Sequence, residues 1–199
     1  MKILVNAISS LLILCCLFAC GGSGGNGSNA PLSVDLTGFT QTPLARGGIS
    51  AVKKGSDGLI LEQGIIVNGK KNGSWITYYP TKEDRIKTIA NYVDNELNGL
   101  FLTMSDRGQI ETKTNYVNGA YDGVYSKYKY GNLEETATYA NGKMTGLFKQ
   151  YYRNNKIKLE AEYKDGQQHG SYRYYDEEGN TVMQYEYENG TKLSGGMTK

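Results

Sequence analysis

The eight residues from Tyr139 to Gly146 read YANGKMTG, and the fold turns on what their glycines do. Asn141-Gly142 is the commonest short signal for a two-residue β-hairpin turn, because both central positions of that turn need φ > 0. A glycine-spaced loop is also a familiar ligand cradle. The surrounding chain separates the two readings. Gly146 has counterparts at Gly73, Gly99, Gly123 and Gly170, at successive spacings of 26, 24, 23 and 24 residues. Self-similarity at a fixed period is the signature of a repeat array.

Other columns keep the same step. Two positions after each glycine stands an aromatic residue: Trp75, Phe101, Tyr125, Phe148 and Tyr172. Five positions after stand Tyr78, Met104, Tyr128, Tyr151 and Tyr175. Seven before stand Ile66, Tyr92, Tyr116, Tyr139 and Tyr163, with Tyr187 opening a sixth copy. Nine before, the residue is small: Gly64, Ala90, Thr114, Ala137 and Ala161. Fifteen before come Gly58, Asp84, Gly108, Gly131 and Asn155, then Gly179 in the last copy. All six are types that tolerate φ > 0. Chance does not align so many columns over five copies.

Each unit therefore reads as turn, strand, turn, strand. In the fourth, Gly131 to Tyr152, alternation puts Leu133, Glu135, Ala137 and Tyr139 on one face. Asn141-Gly142 then reverses the chain, and Gly146 begins a return strand carrying Phe148 and Tyr151. These two have opposite parity, so they lie on opposite faces unless a bulge intervenes. A helix is disfavoured by the recurring Gly, Asn, β-branched and aromatic residues. The expected fold is all-β, with hairpin repeats over residues 58–190. Residues 31–57 form an N-terminal cap with an unpaired half-repeat at 49–54, and 191–199 a polar tail.

The runs Tyr116 to Tyr128, Tyr139 to Tyr151 and, more loosely, Tyr163 to Tyr175 follow Tyr-x-Asn-Gly-x-x-x-Gly-x-aromatic-x-x-Tyr. This pattern resembles the bacterial MORN-variant repeat, and within it the YwqK-type antitoxins. The resemblance implies an elongated, twisted, single-layer antiparallel sheet of stacked hairpins. The antitoxin label implies neutralisation of a toxin by binding, although no residue here matches a known contact. Cell-wall choline-binding repeats are a rival for GSWITYY at Gly73 to Tyr79, but they are shorter and carry several tryptophans, whereas this chain has one.

The first nineteen residues read as a secretion signal. Lys2 is a minimal basic region, and the apolar run that follows is shorter than the roughly twenty residues a membrane helix needs. The ending Leu17-Phe18-Ala19-Cys20 resembles the lipobox of bacterial lipoproteins. It implies diacylglyceryl attachment at the Cys20 thiol, cleavage before it and fatty acylation of the new amino terminus. Residues 20–30 then hold the lipidated cysteine and a linker, Gly, Ser and Asn alone from Gly21 to Asn29, that reads as a tether holding a folded part off a bilayer. Gly21 is not the aspartate that retains enteric lipoproteins in the inner membrane, which favours the outer membrane if the cell is Gram-negative.

Chemistry is sparse. The 22 basic and 20 acidic residues leave no electrostatic footprint for nucleic acid. His169 is the only histidine and reads as a solvated residue of a turn. No metal-loop pattern occurs, and no cofactor or catalytic residue is expected. Glu134-Glu135 and Glu177-Glu178 read as solvated neighbours, not as an acid–base pair. The turn glycines Gly73, Gly99, Gly123, Gly146 and Gly170 serve the backbone. Binding falls to the aromatic columns, with Trp75, Phe101, Tyr125, Phe148, Tyr151 and Tyr172 as the candidate surface, unless those rings only hold the sheet together. The expected function is a non-catalytic envelope lipoprotein that binds a protein partner, with surface glycan as the alternative.

Overall fold

The structure, a computed structural model, describes residues 33–82 and 84–198. The signal-like segment, Cys20 and the linker lie outside the described residues. Sixteen strands form one sheet. They are β1 (Phe39–Pro43), β2 (Ile49–Lys54), β3 (Ile60–Val67), β4 (Lys70–Tyr78), β5 (Ile86–Val93), β6 (Glu96–Met104), β7 (Ile110–Val117) and β8 (Ala120–Tyr121). There follow β9 (Gly123–Lys129), β10 (Asn132–Ala140), β11 (Lys143–Met144), β12 (Gly146–Tyr151), β13 (Ile157–Lys164), β14 (Gln167–Tyr175), β15 (Thr181–Glu188) and β16 (Thr191–Met197). Neighbours in the chain are neighbours in the sheet, all antiparallel, and the sheet runs from β1 to β16 without closing into a barrel.

The turns follow from residue type. Asn68-Gly69, Asp94-Asn95, Asn118-Gly119, Asn141-Gly142, Asp165-Gly166 and Asn189-Gly190 all have φ > 0 at both positions, as a type I′ hairpin demands. Successive turns are also coupled by the backbone. The second turn residue donates its N–H to a carbonyl of the preceding unit: Asn95 to Lys71, Gly119 to Leu97, Gly142 to Tyr121, Gly166 to Met144 and Gly190 to Gln168, at 2.8–3.0 Å. The period is thus held by main-chain bonds as well as by side chains.

Gly123 and Gly146 begin β9 and β12, whereas Gly73, Gly99 and Gly170 lie inside return strands that start earlier, at Lys70, Glu96 and Gln167. Each of the five glycines has φ between 66° and 99°, at a bulge. Thus Ala161 faces Tyr172 and Tyr163 faces Gln168, so four steps on β14 pass two on β13. At Gly123 and Gly146 the bulge divides the strand, separating β8 from β9 and β11 from β12. An even number of extra residues preserves parity, so the side chains before and after the glycine stay on one face.

At the other end of the strands the bulges add a single residue and parity slips. Glu134 is the extra residue in β10, because Leu133 faces Tyr128 while Glu135 faces Lys127. Leu133 therefore leaves the face of Glu135, Ala137 and Tyr139. In the next hairpin the extra residue is on β13, since Gln150 faces Leu159 and Tyr151 faces Ile157. β12 itself alternates normally, and Phe148 and Tyr151 lie on opposite faces.

One face carries the core. The register sets Trp75 against Ala90, Ala90 against Phe101, Phe101 against Thr114, Tyr125 against Ala137, and Ala161 between Phe148 and Tyr172. Small residues thus alternate with rings across the strands. Ala51, Ala90, Thr114, Ala137 and Ala161 are buried because neighbouring rings lie down over them. A second row of rings packs edge-on against the first, with Phe101–Tyr116 at 5.7 Å, Phe148–Tyr163 at 6.1 Å and Tyr125–Tyr139 at 6.4 Å between centroids. The array makes a core one side chain deep without a second layer.

The ends differ from the sequence reading. The segment 49–54 is no unpaired half-repeat, because β2 pairs with β1 on one side and β3 on the other. Val34, Leu36 and Phe39 cover the first repeat, packing against Ala51, Ile66 and Trp75. The polar tail is largely strand, since β16 pairs with β15 along its length. There Tyr185 stands where earlier copies have a small residue, and Gly195 supplies the small side chain instead, tight against the Gln184 backbone.

Candidate binding surfaces

Trp75 is the one clear correction to the expected binding surface. Its side chain is 2% exposed. The indole N–H donates to the Ile65 carbonyl at 3.1 Å, Lys71 Nζ lies 4.1 Å from the ring centroid, and Phe39 packs edge-on at 6.2 Å. A ring so enclosed is core and has no free face for a ligand.

Phe101, Tyr125, Phe148 and Tyr172 are half-buried on the same face, each against a ring of the following strand. Burial holds the hydroxyls of Tyr125 and Tyr172 above the ordinary tyrosine range, and those of Tyr116 and Tyr163 likewise. Tyr151 is apart from them on the opposite face, its hydroxyl 3.4 Å from that of Thr136. The five rings on the first face are therefore engaged within the sheet.

Tyr121 is a ring the column reading missed. It lies 4.8 Å from Tyr116, 5.1 Å from Tyr139 and 6.3 Å from Tyr125, and so joins two repeats. Its column, two before the bulge glycine, holds Lys71, Leu97, Tyr121, Met144 and Gln168. No constant type marks it, but strand alternation alone would have placed it beside Tyr116.

The opposite face offers a different surface. Val93, Val117, Val124 and Leu147 are 53%, 46%, 55% and 43% exposed. By alternation all four point away from the ring rows, flanking the type I′ turns and bulges of the middle repeats. Four exposed aliphatic side chains on one face of successive hairpins give that face apolar area to offer an interaction partner.

The far ends of the strands are braced by tyrosines. Tyr79 donates its hydroxyl to the Met104 carbonyl at 2.8 Å, and Tyr152 to the Tyr175 carbonyl at 2.7 Å. Each stands six positions after its bulge glycine and reaches the next turn of the same end. The Tyr152 hydroxyl is pushed up to about 12, first by its hydrogen bond with Tyr174 and then by burial.

His169 lies in β14 and is not in a turn. It is half-buried, and its Nδ1 has no hydrogen-bond partner among the described residues. Glu134 pairs with Lys127 at 2.9 Å while Glu135 accepts from Gln150 at 3.2 Å, so these neighbours serve separate partners. Glu177 and Glu178 each offer a main-chain carbonyl to Lys156 Nζ. Among the described residues no three His, Cys, Asp or Glu side chains are placed to hold a metal ion, and no helix is long and apolar enough to cross a membrane. No protein family and no curated protein matches the chain.

Proposed function

We propose that this protein is a non-catalytic lipoprotein of the cell envelope whose MORN-like hairpin repeats form a scaffold for a protein partner. In this reading Cys20 carries the lipid, residues 21–30 span the gap, and the sheet presents its aliphatic face to the partner. The observation that carries it is the exposed strip of Val93, Val117, Val124 and Leu147 on a sheet whose opposite face is already consumed by its own rings. Branched aliphatic side chains suit a protein surface better than a sugar, which prefers flat exposed rings. The glycan alternative uses the aromatic ladder, in which Trp75 is enclosed and Phe101, Tyr125, Phe148 and Tyr172 each pack against a neighbouring ring. Neutralisation of a toxin, as in the YwqK-type antitoxins, is the specific activity the repeat resemblance suggests.

The test is capture and exchange. The full chain, cross-linked in its native cells, should yield one defined protein. Val124→Lys with Leu147→Lys should abolish that capture while the far-ultraviolet circular dichroism stays unchanged. Capture that survives both charges would remove the strip from the reading. Separately, Cys20→Ser should abolish labelling by a fatty-acid analogue, and persistent labelling would dismiss the anchor.

A further inference from the structure

The tyrosine braces are interrupted in the middle of the array. At the positions equivalent to Tyr79 and Tyr152, the second and third repeats carry Ser105 and Lys129. The Ser105 hydroxyl turns back into its own loop, accepting from the N–H groups of Arg107 and Gln109 at 3.4 and 3.2 Å. No ring spans from the β6–β7 turn to the β9–β10 turn, and a groove of about 620 Å³ opens between them. A second groove of about 200 Å³ lies on the other side of the β9–β10 turn, toward Tyr152 and Arg153.

The turn dividing the grooves is itself unusual. Its tip is Tyr130, with φ of 53°. Every other non-glycine residue with positive φ among the described residues is Asn or Asp. A bulky side chain in the left-handed region is a true outlier, and such strain concentrates at functional positions. The Tyr130 side chain gains no packing in return, being 68% exposed. Asn or Gly would form the same turn at lower cost, so the ring calls for a use outside the fold.

The charges around it are mixed in sign, but the cations are less fully paired than the acids. Asp106 is paired with Lys82 at 2.7 Å and Glu134 with Lys127 at 2.9 Å. Arg107, Lys129 and Arg153 line the grooves with no ion pair among the described residues, and Glu111 is the one unpaired acid beside them.

We infer that the two grooves beside Tyr130 form a binding site for an acidic peptide segment bearing an aromatic side chain. The array supplies the template. Twice it fills the equivalent interval with a tyrosine ring whose hydroxyl reaches a main-chain carbonyl five positions after a bulge glycine. Here the corresponding carbonyls belong to Tyr128 and Tyr151, and among the described residues the tyrosine hydroxyls that reach such carbonyls are those of Tyr79 and Tyr152, directed elsewhere. A ring from the partner completes the brace, its flanking carboxylates meet Arg107, Lys129 and Arg153, and Tyr130 closes against it. This site rests on the reading that the partner is a protein, and it names which kind of segment that partner presents.

The test uses the purified full chain in detergent and a fluorescein-labelled pentapeptide with a central tyrosine flanked by two acidic residues on each side. Fluorescence anisotropy should show binding that weakens with added salt. Replacing the peptide's tyrosine by alanine, or its acids by amides, should each weaken binding about ten-fold or more. Ser105→Tyr, which builds the missing brace into the chain, should weaken binding by a similar factor while the protein stays folded and melts no lower. If that variant misfolds, Arg107→Ala with Lys129→Ala gives the same readout from exposed side chains. Unchanged affinity in these variants, or equal affinity for the alanine peptide, overturns the site. Tighter binding of oligogalacturonate than of the peptide assigns the cations to an acidic glycan and overturns it too. A partner captured through the aliphatic strip while the peptide fails to bind removes only the groove assignment; failure of both removes the scaffold reading as well.

Discussion

The indole of Trp75 occupies the space that a β-carbon on Gly64 would need. Gly64 heads the column that continues as Ala90, Thr114, Ala137 and Ala161. Small residues there are the seats of the rings on the adjoining strands, and at Trp75 the ring is large enough that only hydrogen fits. Gly64→Ala should therefore cost about 1–3 kcal/mol as an overpacked core does. The loss should be local, because each unit of an array contacts chiefly its neighbours. Hydrogen exchange should speed in β2 to β4 and stay slow around β13 and β14. A uniform acceleration across the sheet would mean that the repeats unfold as one block.

The bulge glycines divide into two kinds. Gly146 has φ of 66° and nothing nearer to an added β-carbon than Thr138 Cβ at 4.0 Å. Gly146→Ala then bears only the left-handed backbone penalty, about 1–2 kcal/mol. Gly170 has φ of 94°, and an added β-carbon would lie 2.8 Å from Glu162 Oε2, whose other oxygen accepts from Ser171. Gly170→Ala should lower the melting temperature further than Gly146→Ala. Asn at 146 should be milder than Ala, since Asn visits that region of φ readily. The reverse order in a thermal scan would show that the bulges are not set by φ.

The repeat was legible because its turns demand φ > 0 and few residue types supply it. Asn141-Gly142 and Gly131 announced their conformations directly. The bulge at Gly146 was not legible. The same spacing from the turn fits a strand beginning at Gly146 or one beginning at Lys143 with a kink, and only the pairing of Thr136 with Lys149 beside that of Tyr139 with Met144 decides. The enclosure of Trp75 was hidden for a similar reason, since it depends on which residues of the preceding strands lie against the ring. β1 and β16 escaped because edge strands answer to one neighbour and carry no period. Tyr121 escaped because its column changes type in every copy, and Tyr130 because its left-handed backbone is unforeseeable for a bulky residue.

The braces at Tyr79 and Tyr152 should act as single hydrogen bonds between successive turns. Tyr152→Phe keeps the ring and removes the donor to the Tyr175 carbonyl. The cost should be about 0.5–1.5 kcal/mol. Exchange of the amides around Asp176 to Asn180 should accelerate, while β9 and β10 stay unaffected. An equal effect in the Tyr130 turn would mean that the brace works through the whole sheet.

Alkaline pH should dismantle the ring rows. Burial raises the hydroxyls of Tyr116, Tyr125, Tyr163 and Tyr172, so the folded chain holds them neutral beyond the point where an unfolded tyrosine ionises. The sign follows from linkage: below about pH 10 both states keep the proton and the full stability is present. Above it the unfolded state gives up protons that the folded state retains, and stability falls as pH rises. Tyrosinate absorbance should rise in two stages. The first stage should be reversible. The buried set should follow only as the near-ultraviolet circular dichroism is lost, over about pH 10 to 12. Phe replacing Tyr116 should move that second stage to higher pH, because it removes one of the protons whose loss drives unfolding. A single smooth titration, with the dichroism intact throughout, would mean that these hydroxyls reach water and that the rows are not a closed core.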